Sequence, residues 1–83
     1  MEKITGKSND LIKSVKKLFS SSKQRREQGL FVLEGARLVF DVLNSFYEVK
    51  YFLITESAYV KYKPQADKII AISSQSYFIT DDL

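Results

Sequence analysis

Leu30-Phe31-Val32-Leu33 is a continuous apolar run set between Gly29 and Glu34-Gly35, and Ala36-Arg37-Leu38-Val39-Phe40-Asp41-Val42-Leu43 follows it. An unbroken apolar run of this length reads as a strand covered on both faces, as in a parallel sheet. Beyond Gly35 the spacing changes. Leu38, Val39, Val42 and Leu43 recur three and four residues apart, which predicts an amphipathic helix from Ala36 to about Ser45 with Phe40 at its margin. A strand running straight into a helix is half of a parallel crossover unit.

The same alternation continues toward the carboxyl end. Val49-Lys50-Tyr51-Phe52-Leu53-Ile54 is rich in aromatic and β-branched residues and predicts a second strand. Glu56 to about Tyr62 predicts a short helix, and Pro64 marks a break or a new turn. Lys68-Ile69-Ile70-Ala71-Ile72 predicts a third strand, and Gln75 to Leu83 the start of a last helix that is cut off. Toward the amino end, Leu11, Ile12, Val15, Leu18 and Phe19 form one stripe of a helix from Asn9 to Phe19, with Ser8 or Asn9 able to cap it. Between that helix and Gly29, Ser21 and Gln24 have capping-box spacing in a short polar helix. Gly29 can close it in a left-handed conformation. Strands alternating with helices give an α/β fold, a three-layer α/β/α sandwich around a small, mainly parallel sheet.

Eighty-three residues with 45% hydrophobic and 28% charged side chains suit one globular domain, residues 1–83. No cysteine and no histidine occur, which removes disulfides, thiolate sites, the commonest zinc ligand and the commonest general base. The three glycines, Gly6, Gly29 and Gly35, form neither a dinucleotide fingerprint nor a phosphate loop. The functional residues of this chain are therefore expected to bind rather than catalyse, and the chain itself to hold no metal and no cofactor. No apolar run reaches the roughly 20 residues of a membrane span, and Met1–Asn9 lacks the apolar core of a secretory signal. The expected compartment is the cytoplasm.

Charge is distributed unevenly. Residues 1–28 carry eight basic and three acidic side chains, and residues 29–83 carry five and seven. Lys13, Lys16, Lys17, Lys23, Arg25 and Arg26 fall within fourteen positions on two consecutive helices. Arginine bridges phosphate oxygens with a planar fork and lysine adds a point charge, so the cluster suits a polyanion. A lysine-rich solvated helix accounts for the charge equally well. The tyrosines Tyr47, Tyr51, Tyr59, Tyr62 and Tyr77 are a pool that could stack on unpaired bases, although tyrosine on strands and helix faces is more often core filler. Glu34 is placed to bond backbone amides or Arg37, its simplest role being a cap. Gly35 serves close packing or a turn.

The run from Lys23 to Leu38 resembles the K-x-R-x-x-x-G-x-F-x-x-E-G-x-R-L signature of SpoU/TrmH-type RNA methyltransferases, at the opening of their substrate-binding domain. Ile4-Thr5 and Asn9-x-x-Ile12-Lys13 are similar to that family's lead-in, while Gln24 stands where the family often has an aromatic residue. The resemblance implies a fold similar to kink-turn-binding ribosomal proteins and a role in recruiting ribosomal or transfer RNA. It implies RNA contacts at Lys13, Lys23, Arg25 and Arg37, to which the basic cluster adds Lys16, Lys17 and Arg26 as expected RNA contacts, and the motif positions Asn9, Gly29, Phe31, Glu34 and Gly35 are expected in structural roles. In such enzymes a further, knotted domain binds S-adenosylmethionine, methylates a ribose 2′-hydroxyl and forms a homodimer. That domain's motifs are not in this sequence, so the chain is expected to be part of a longer enzyme. Two competing readings are a stand-alone kink-turn RNA-binding protein and a protein-interaction or dimerisation domain.

Overall fold

A computed structural model of the chain describes residues 1–81. Its elements in order are β1 (Glu2–Ile4), α1 (Asp10–Ser20), α2 (Ser22–Gln28), α3 (Ala36–Asp41) with a 3-10 turn at Val42–Asn44, β2 (Val49–Thr55), α4 (Glu56–Lys61), α5 (Lys63–Ile72) and β3 (Ser73–Ile79). The three strands form one parallel sheet in the order β1-β3-β2, so β3 is central and β2 is an edge. The α/β class and the parallel sheet match the sequence expectation.

Alternation along β2 divides the molecule. Phe52 and Ile54 are buried on one face, where they meet Ala66 and Ile69 of α5 to form the core. Val39, Phe40, Leu43, Ala58, Tyr59 and Phe78 pack around this cluster. Ile69 is 1% exposed and Ala66 fully covered, making α5 the hub of the fold. On the other face Tyr51 registers with Gln75 and Leu53 with Tyr77. Here α1 lies over the sheet without closing on it, leaving a hollow of about 310 Å³ lined by Leu11, Val15, Leu18, Tyr51, Gln75 and Tyr77.

Two predicted strands are not strands. Leu30–Leu33 follows an irregular path, with no ladder bond to β2, and Phe31 is exposed. Lys68–Ile72 is the last half of α5. A short apolar run does not distinguish a strand from a buried helix segment, and here the helical spacing wins. Pro64 stands at the first turn, where its missing N–H and fixed φ favour a helix start, and Ala66, Ile69 and Ile70 then fall on one face. The third strand is displaced to Ser73–Ile79, where a last helix was expected. Its serine-rich first half is held by pairing with β2 from Val49↔Ser73 to Phe52↔Ser76. The remainder of that expected helix, Asp82 and Leu83, lies outside the described residues. β1, in the polar opening segment, was not expected; it pairs Ile4 with Ile79 and buries Ile4.

Candidate nucleic-acid interface

The two basic helices are built as the spacing predicts. Asn9 caps α1, its side-chain oxygen accepting from the N–H of Leu11 at 2.9 Å and of Ile12 at 3.4 Å. Ile12 and Leu18 are buried beneath the helix, while Lys13, Lys16 and Lys17, three and four residues apart, share its solvent-facing side. Ser21 serves both helices. Its N–H bonds the Lys17 carbonyl at the end of α1, and its hydroxyl accepts from the Gln24 N–H at the start of α2. The reciprocal half of the capping box is not made, because the Gln24 side chain accepts from Gln28 instead. Gly29 ends α2 at φ 65°, in the left-handed region, and the Leu30 N–H turns back to the Arg25 carbonyl.

Within this unit the cations are not equivalent. Arg25 is half-buried, and its guanidinium donates to the carbonyls of Leu18 and Phe19. It therefore closes the end of α1 onto α2, satisfying carbonyls that a helix end leaves open and complementing the negative end of the helix dipole. Lys23 pairs with Glu27 at 3.8 Å, both exposed, a contact of the kind worth at most about 1 kcal/mol. Lys13, Lys16, Lys17 and Arg26 have no bonded partner among the described residues. Of the six cations across Asp10–Gln28, Lys23 is engaged by Glu27 and Arg25 by backbone carbonyls, which leaves four unpartnered and exposed on the two helices.

The second half of the motif is placed apart from the helix pair in role. Gly35 enters α3 at φ 92°, and a side chain there would meet nothing within 4 Å. Its glycine serves the turn, through backbone freedom, and not close packing. Glu34 is exposed and caps nothing, α3 having no side-chain cap, and it makes no pair with Arg37. Arg37 is exposed on the first turn of α3. Phe31 packs edge-to-face on Tyr47, ring centroids 4.9 Å apart, and stays half exposed.

Segment 29–35 runs along the open edge of β2, and the space between them is a cleft of about 1060 Å³. Lys16 and Phe19 of α1 border it on one side, and Phe46 and Tyr47 on another. The basic helices and the cleft therefore adjoin through Lys16. Among the described residues one perturbed titration lies elsewhere: Tyr59 is raised above its ordinary value, chiefly because its hydroxyl donates to Asp67 at 2.8 Å.

Residues 9–81 match the family described as the MRM3-like substrate binding domain. The chain belongs to that family. No curated protein and no solved structure matches it. The match takes in α1, α2, the turn at Gly35 and all of the β2–β3 half, so the motif residues from Asn9 to Leu38 lie inside an MRM3-like substrate-binding domain, while Ile4 and Thr5 precede the matched residues. Among the described residues no helix is long and apolar enough to cross a membrane, and no three acidic side chains gather as metal ligands.

Proposed function

We propose that this domain docks structured RNA, ribosomal or transfer RNA, for a methyltransferase of the SpoU/TrmH type, with α1 and α2 as the phosphate-facing surface. The observation that carries the reading is the group of four unpartnered cations, Lys13, Lys16, Lys17 and Arg26, on a helix pair inside an MRM3-like substrate-binding domain. Phosphate groups supply the missing counter-charge, and release of their counterions gives the association its free energy. Arg25 holds the two helices at a fixed relation through its Nη1, so it positions the cations. Methyl transfer from S-adenosylmethionine to a ribose, and dimerisation, belong in this proposal to another part of the enzyme.

The test is a salt titration of RNA binding by the chain and by a Lys13/Lys16/Lys17→Gln variant. Each lost phosphate contact flattens the slope of log K against log salt by about 0.7–0.9. The variant is expected to lose roughly two of the slope units and to stay folded, because all three side chains point to solvent. An unchanged slope would remove α1 from the interface.

A further inference from the structure

Among the described residues Phe46 is the most exposed large hydrophobic, at 107% of its reference surface, and Tyr47 beside it is 61% exposed. The segment that carries them is held in place. Ser45 donates its N–H and its hydroxyl to the Val42 carbonyl, at 3.1 and 2.8 Å, and its hydroxyl oxygen accepts from the Tyr47 N–H. The 3-10 turn before it and β2 after it fix both ends. Neither ring is folded back onto the core, and the edge-to-face contact with Phe31 leaves aromatic surface open on both partners. Three exposed aromatic rings thus stand together at the mouth of the 1060 Å³ cleft.

The polar residues of the same cleft decide what such rings would meet. Lys16 lies on one wall and Lys50 on another, and the Lys50 ammonium sits 5.6 Å from the centre of the Tyr51 ring. Glu34 and Glu48 also line it. Aromatic faces interleaved with cations suit a planar base joined to a phosphate, and carboxylates accept hydrogen bonds from the exocyclic amines of bases. An apolar protein surface would leave both lysines and both carboxylates to be desolvated without partners. The volume lies at the top of the usual range of about 300–1,000 Å³ for sites that take small organic groups.

We propose that Phe46, Tyr47 and Phe31 form a stacking platform for unpaired nucleotides, Lys16 and Lys50 holding their phosphates. The platform rests on the RNA-docking reading and specifies its substrate: RNA whose bases are splayed out at a loop, bulge or end, presented next to the helix pair that holds the flanking backbone. Lys16 joins the two surfaces.

The experiment compares the affinity of the chain for a single-stranded oligoribonucleotide with that for a blunt duplex of equal length, for wild type, Phe46→Leu and Phe46→Trp. Leucine keeps apolar bulk and removes the π face; tryptophan keeps it. Stacking contributes a few-fold to a hundredfold per base, so Phe46→Leu is expected to weaken single-strand binding by about tenfold. Duplex affinity and thermal stability should stay unchanged, and Phe46→Trp should bind like wild type. If Phe46→Leu binds the single strand as wild type does, or weakens both RNAs equally, the platform is wrong while the RNA-docking reading stands. If no variant and not even wild type binds either RNA at low salt, both proposals fall.

Discussion

Arg25 shows how one side chain can carry a binding signature and do structural work. Its position in the K-x-R motif marks it as a phosphate contact, and one of its guanidinium nitrogens, Nη1, is engaged by the carbonyls of Leu18 and Phe19. Sequence spacing gives the residue type but not which neighbour claims its donors, since the contact spans six and seven positions across a helix junction. The same holds for Glu34, whose place before a helix suggested a cap that the structure does not make. Tyr59 is the reverse case, a residue with no motif whose partner, Asp67, is visible only once α4 and α5 are folded against each other. The hydroxyl bond to Asp67, with the carboxylate's charge, favours neutral tyrosine and raises its ionisation above the usual value near 10. Whatever stability the pair adds is complete below that value and is lost as pH rises through the folded one. Asp67→Ala is therefore expected to move the Tyr59 ionisation down toward the ordinary value, followed by an NMR titration of its ring. A Tyr59 titration that does not move in the variant would show that the bond is not made in solution.

At the scale of elements, legibility followed the kind of signal each segment carries. The helices α1 and α2 were readable because their stripe, caps and closing glycine are local, and β2 because its aromatic and β-branched run is bounded on both sides. Two apolar runs misled for one reason: four consecutive apolar residues carry no period that tells a strand from a helix or an irregular segment. Leu30–Leu33 makes no ladder bond to β2, and Ile69–Ile72 continues a helix begun at Lys63. The serine-rich β3 has little strand character of its own and exists because β1 and β2 pair with it on either side. Local signals can be tested directly. Asn9 accepts two N–H donors at the start of α1, and no other side chain among the described residues caps that end. Asn9→Ala is expected to lower stability by about 1 kcal/mol, within the range of about 0.5–2 for such caps, measured by urea unfolding. Because α1 carries the lysines, the same change should weaken RNA binding in proportion to the lost helix. Unfolding indistinguishable from wild type would mean that α1 is held by its buried Ile12 and Leu18 alone.

The molecule as a whole is slightly open for its length. Its radius of gyration is 12.6 Å, against about 12 Å expected of a compact chain of this size. The excess has a location: the hollow under α1 and the cleft between segment 29–35 and the free edge of β2. One side is a dense unit of α5 with β2 and β3, and the other is a basic helix pair joined to it across open space. Opening free energies should follow that division, since amides protected by packed ladders and helices exchange slowly and those on unpaired backbone quickly. The amides of Phe31 to Glu34 donate to no protein acceptor among the described residues, whereas β2 and β3 share a ladder from Val49 to Thr55 and α5 lies against it. Hydrogen exchange followed by mass spectrometry is expected to label residues 31–34 at least about tenfold faster than β2 and α5. Residues 10–28 should fall between, held by helix bonds but with a thinner attachment to the sheet. Slow exchange at 31–34, equal to that of β2, would mean that this segment pairs along the β2 edge after all. The cleft would then be closed by a fourth strand, and Phe46 and Tyr47 would lose the wall opposite them. Fast exchange in the free chain that slows on adding single-stranded RNA, with α5 unchanged, would put the bound nucleotide in the cleft itself.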